Sequence, residues 1–138
     1  MIKIVTPLSI VLPRKTTKDK KIPISMNAYG NVNTHTNNEV KKRFKEAIRE
    51  QIENLKIDTP VEITYQVFKP SLRRLDKMNV IAVTSKYLLD AITELGCWED
   101  DNDDNVKTET LLPTVYDKNN GRVEVIIYEG VREDCSEA

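Results

Sequence analysis

Between Glu99 and Asp104 five of six residues are carboxylates, "EDDNDD", placed directly after Trp98. Oxygen donors this dense suit a hard divalent cation. A calcium loop of the EF-hand kind needs glycine at its sixth position and glutamate at its twelfth. Counted from Asp101 those positions hold Val106 and Leu112, and counted from Asp100 they hold Asn105 and Leu111, so the motif fails. Mg²⁺, with Mn²⁺ as a substitute, needs fewer protein carboxylates because water and phosphate complete its shell. That ion and a plain solvated acidic turn are the two readings left. Asp76 and Asp90 are the further acids that bear on the choice, and Lys86 stands four residues before Asp90 on the same face of a helix. Carboxylate-held ions of this kind activate water and stabilise in-line displacement at phosphorus, and a nearby lysine neutralises developing charge. His35 is the single histidine, so histidine–metal and Ser-His-Asp chemistries have almost no material. Each candidate also has a structural reading. Asp76 suits a helix N-cap, Lys86 a surface pair with Asp90, and Trp98 a packing anchor for the loop.

The elements that must position these groups belong to one domain, since 138 residues match the usual size of a single core. A hydrophobic share of 39% beside 31% charged residues describes a globular chain. No apolar run approaches the roughly 20 residues of a membrane span, and the N-terminus lacks the order of a signal peptide, so the cytoplasm is the expected location. Cys97 and Cys135 lie far apart without metal-ligand spacing and are read as free thiols. The net charge of −1 conceals a division: 11 Lys/Arg face 4 Asp/Glu through Glu50, and 10 face 18 from Gln51 onward. A basic N-terminal half can bind a phosphate backbone even where the overall charge is slightly negative.

"MIKIVTPLSIVLP" predicts an early strand, and the basic stretch Arg14 to Lys21 a loop. "ISMNAYGNVNTHTNN" reads as an extended or looping segment, with Thr36 and Glu39 in the form of a capping box. Phe44, Ala47, Ile48, Ile52 and Leu55 recur at three- and four-residue steps, predicting a helix from Asn37 to about Leu55 with a lysine-rich outer face. Val61, Ile63, Tyr65 and Val67 alternate as a half-buried strand. A second helix is predicted from about Met78 to Leu95, buried through Ile81, Tyr87, Leu88, Ala91, Ile92 and Leu95 and stopped by Gly96. "VKTETLLP" and "RVEVIIYE" read as a terminal hairpin around "DKNNG", followed by a frayed tail after Glu129. The expected architecture is α+β: a mixed, mostly antiparallel sheet with two amphipathic helices packed on one face.

In their order, "RRLDKMN", "KYLLDAITELGCWEDDNDDNV" and "GRVEVIIYE" resemble the RusA family of Holliday-junction resolvases, particularly its phage-type members. "ISMNAYGNVNTHT" is similar to that family's N-terminal S-x-N segment, which includes Asn27. The strong part of the resemblance runs from about Arg73 to Glu129. It implies a homodimeric, Mg²⁺-dependent endonuclease of a phage or prophage that resolves four-way DNA junctions by symmetrical nicks. Asp76 matches the first acidic position, Asn79 the asparagine closing that motif, and Lys86 the helix lysine. Asp90 matches the D-A-[LI] step, and Asp100 and Asp101 the D-D pair. On this resemblance Asp76, Asp101 and Lys86 are catalytic, and Asp76, Asp90, Asp100 and Asp101 form the metal set. The candidate DNA-binding residues are Asn27, Arg73 and Arg74, with Arg14, Lys15, Lys18, Lys20 and Lys21, for which the basic N-terminal balance leaves backbone binding and a plain solvated loop as equal readings. One position departs: Met78 stands where the family has its second aspartate, and Asp90, Asp100 or Asp103 are the carboxylates that could replace it. A junction-binding protein without cleavage is the alternative, and a third reading treats the domain as a protein-interaction unit with an inert loop.

Overall fold

The computed structural model describes residues 1–130. The strands are β1 (Ile2–Thr6), β2 (Ser9–Leu12), β3 (Lys20–Pro23), β4 (Val61–Lys69), β5 (Val106–Leu111), β6 (Val115–Tyr116) and β7 (Arg122–Glu129). The helices are α1 (Met26–Asn31), α2 (Thr34–Ile52) and α3 (Lys77–Glu94). One mixed sheet runs in the order β1-β7-β4-β5, with β6 also beside β4, while β2 and β3 form a separate hairpin. β7 is antiparallel to both β1 and β4, and β5 and β6 run parallel to β4. The α+β class with a mixed, mostly antiparallel sheet is therefore observed, with a short third helix added.

The period of two decides which face is covered. In the β4–β7 register Ile63, Tyr65 and Val67 lie opposite Ile127, Val125 and Val123, and all six are buried. Between them Glu62, Thr64 and Gln66 meet Tyr128, Ile126 and Glu124 on the open face. α2 buries Val40, Phe44, Ile48 and Ile52 over β1 and β2, and α3 packs on β4 and on both other helices. Ala47 is exposed and Leu55 half-buried, so the stripe of α2 is narrower than predicted. The outer edge of β1 is closed by Gln51 of α2. Its amide donates to the carbonyl of Val5 and its oxygen accepts from the same residue's N–H, both at 2.8 Å. This side chain stands in for a further strand and blunts an edge that would otherwise invite pairing.

Several expectations need correction. The first strand is broken into β1 and β2. The basic stretch is the turn of the β2–β3 hairpin, and Lys20 and Lys21 already belong to β3. The Asn- and Thr-rich segment contains α1, capped by Ser25, whose hydroxyl accepts from Ala28 N–H at 3.2 Å. α2 starts at Thr34 because Asn33 caps it, accepting from Thr36 N–H at 2.7 Å. The Thr36–Glu39 capping box is thus not formed, and Glu39 instead faces Arg14 and Arg43. The terminal hairpin is also absent, since β4 lies between β5 and β7. The frayed tail falls on residues 131–138 and Cys135 with it, outside the described residues.

Candidate nucleic-acid site

α3 carries candidate groups at both of its ends. At its start Asp76 is the N-cap, with Oδ1 accepting from Met78 N–H at 3.1 Å and from Asn79 N–H at 3.4 Å. Its structural reading therefore holds in full. Around this turn a cavity of about 350 Å³ is lined by Ser25, Asn27, Arg74, Asp76 and Asn79, with Ile24 among its apolar walls. The aromatic contacts that hold α1 beside α3 explain why Asn27 reaches this place: Tyr87 of α3 lies 6.5 Å from the ring of Tyr29 and 5.6 Å from that of Phe44. Asp76→Asn is expected to fold as stably as the native chain, because asparagine caps as well as aspartate, whereas Asp76→Ala should lose about 1 kcal/mol in urea unfolding. A loss of the same size in both variants would assign the effect to the charge and not to the cap.

At the far end, Asp90 is held by Lys41 of α2 at 2.9 Å, and Lys45 holds Glu94 at 3.2 Å. Lys86 forms no ion pair among the described residues, so its structural reading, a pair with Asp90, is not observed, and Asp90 is paired between helices instead. The bond to Asp90 raises the affinity of Lys41 for its proton. Beyond Gly96, which takes a φ of 74°, the loop is anchored by buried Trp98, whose indole N–H donates to Thr93 Oγ1 at 2.6 Å. This is the packing role expected of Trp98. Cys97 is a buried free thiol.

The acidic run is ordered by its asparagines. Asn102 Oδ1 accepts from the N–H groups of Asp104 and Asn105, and Asn105 Nδ2 donates to the carbonyl of Asp100 at 2.6 Å. Asp100 Oδ1 accepts from Asp101 N–H at 2.8 Å. Partial burial, then the neighbouring Asp100 and the charge of Asp90, hold the Asp101 carboxyl above its ordinary value of 3.8. Asp101 is half-buried, while Asp103 and Asp104 remain exposed.

The predicted metal set is divided. Asp90, Asp100 and Asp101 share the C-terminal end of α3, but Asp76 caps the other end of an 18-residue helix, a length of about 27 Å. Among the described residues no group of three or more His, Cys, Asp or Glu side chains is placed to hold a metal ion. The carboxylates of a single chain thus do not fit one Mg²⁺ centre that includes both Asp76 and Asp101. The physical reason is that α3 runs without interruption between them. Met78, at the place of the missing carboxylate, is 69% exposed and supplies no hard ligand.

The basic candidates lie at the surface. Lys15, Lys18, Lys20, Lys21, Arg73 and Arg74 are exposed and without ion-pair partners among the described residues. Arg14 is different, being half-buried and placed 3.6 Å from Glu39. A group that sequence reasoning missed lies beneath the other side of the α3 N-terminus. Glu109 Oε2 accepts from Tyr65 Oη at 2.5 Å and from Ser85 Oγ at 2.8 Å. Only the inward phase of Tyr65 on its strand was available as a signal. No protein-family model matches the chain, and no curated protein matches it.

Proposed function

We propose that this protein acts on four-way or similarly branched DNA as a RusA-type, structure-selective endonuclease. One observation carries the reading. Asn27 lies about 50 residues from Arg74, Asp76 and Asn79 in the chain, and the fold brings all four into one cavity, pairing the two segments that the resemblance implies. Arg73, Arg74 and the lysines of the β2–β3 hairpin supply cations for phosphates, which position a nucleic acid without reading its sequence. The amides of Asn27 and Asn79 offer donors and acceptors at the same cavity. Lys86, without a carboxylate partner among the described residues, is available to a phosphate. The requirement for Mg²⁺ or Mn²⁺ and the homodimer rest on the resemblance.

A second reading, junction binding without cleavage, is favoured by the separation of Asp76 from Asp101 along α3 and by Met78. A labelled four-way junction and a linear duplex of the same sequence distinguish the two. The junction is expected to bind tighter by about tenfold, some 1.4 kcal/mol, with affinity falling steeply as salt rises, and to be nicked symmetrically when Mg²⁺ or Mn²⁺ is added. Selective binding without nicks under either ion supports the second reading. Equal, weak binding of both substrates overturns both and leaves the protein-interaction reading.

A further inference from the structure

On the opposite side of the α3 N-terminus from Asp76 and Asn79, a second cavity of about 220 Å³ opens between α3 and β5. Its walls are Met78, Ile81 and Leu111, and its polar floor runs from buried Tyr65 through half-buried Ser85 to solvent-exposed Glu109. The volume is below the roughly 300–1,000 Å³ of sites for drug-sized ligands. It suits a single planar ring system better than a whole nucleotide.

The floor has a fixed polarity. Tyr65 is 1% exposed, and burial followed by the adjacent carboxylate pushes its hydroxyl well above the ordinary value of 10, so it stays a donor. Both hydroxyls meet the same carboxylate oxygen, Oε2 of Glu109. Glu109 has no cationic partner among the described residues, and Oε1 accepts no hydrogen bond there. A carboxylate oriented by two donors and left with one open oxygen is an acceptor awaiting N–H groups. Apolar walls on either side match the way unstacked bases are held between side chains.

We propose that this cavity is a subsite for one unstacked nucleobase, read through N–H donors by Glu109, with guanine favoured because its adjacent N1–H and N2–H can both converge on the two lone pairs of the open Oε1. The proposal rests on the DNA reading given above. Met78 links the two: it lies in the first turn of α3, two residues after Asp76, so a strand held at Arg74 and Asn79 has its neighbouring base within reach of this cavity. At the branch point of a junction, bases are open to extrusion at reduced cost. Met78 is thereby a wall of the base site instead of a metal ligand.

The test titrates the whole protein, labelled at its methionine methyl groups, with the trinucleotides dTGT, dTCT, dTAT and dTTT, and follows the Met78 methyl signal by NMR. Met78→Leu assigns that signal among the three methionines. The expected result is a Met78 shift with dTGT binding about tenfold tighter than dTTT, and a loss of that preference in Glu109→Gln, which turns the open acceptor into a donor. Equal affinities for all four, or a guanine preference that survives Glu109→Gln, overturns the proposal. So does a Glu109-dependent Met78 shift produced by N-acetyl-arginine amide but not by dTGT, which would make the cavity a seat for a protein cation. A junction that binds while Met78 stays unmoved by dTGT leaves the DNA reading standing and removes the base site. Base-selective shifts without junction binding do the reverse.

Discussion

Leu88→Ala is expected to lower the unfolding free energy by about 2–5 kcal/mol, the largest stability effect of any change considered. Leu88 is 0% exposed on the face of α3 that covers the sheet, between the buried neighbours Tyr87, Leu89, Ala91 and Ile92. Truncation removes its transfer free energy and leaves a cavity that close-packed neighbours fill only in part. Urea unfolding should show a lower midpoint with an unchanged slope, because the surface exposed on unfolding hardly changes. The effect also reaches the candidate site, since one helix holds Asp76 at its start, Lys86 at its middle and Asp90 near its end. A loss below about 1 kcal/mol would mean that the site collapses fully around the smaller side chain.

Gly121→Ala should cost about 1–3 kcal/mol through overpacking. A Cβ at this position would lie 2.8 Å from Leu8 Cδ1, 2.9 Å from Pro70 Cδ and 3.0 Å from Pro70 Cγ. Leu8 can change rotamer, but the Pro70 ring cannot fold away. Relief must come from the backbone of the segment after β4, which carries Arg73, Arg74 and Asp76. Weaker junction binding should therefore accompany the loss of stability. A variant that is destabilised yet binds DNA normally would show that the strain is absorbed at Leu8, away from the cavity.

Local patterns were legible where a single element sufficed. The alternation of Val61, Ile63, Tyr65 and Val67 located β4 and its buried face, and the apolar stripes located α2 and α3 to within a few residues. Gly96 ended α3 in the left-handed conformation expected of it. α1 escaped notice because it buries none of its six residues, so it leaves no apolar period to read. The terminal hairpin was expected because "DKNNG" is a good turn, and Asn119 does take a φ of 61° there. That turn instead leads from β6 to β7, and the long β4 occupies the place between β5 and β7.

By itself the sequence determined the α+β class, the inward faces of the main elements and the anchoring of the acidic loop by Trp98, and it offered the cap at Asp76 as one of two readings. Each depends on residues within a turn or two of one another, where periodicity and backbone sterics act directly. Only the tertiary structure decided the contacts between distant segments: Asn27 in one cavity with Asp76, Lys41 on Asp90, and Glu109 bonded to Tyr65 and Ser85. These follow from strand order and from which helices pack together. Neither the pairing partner of a strand nor the neighbour of a helix face is encoded in any short stretch of sequence.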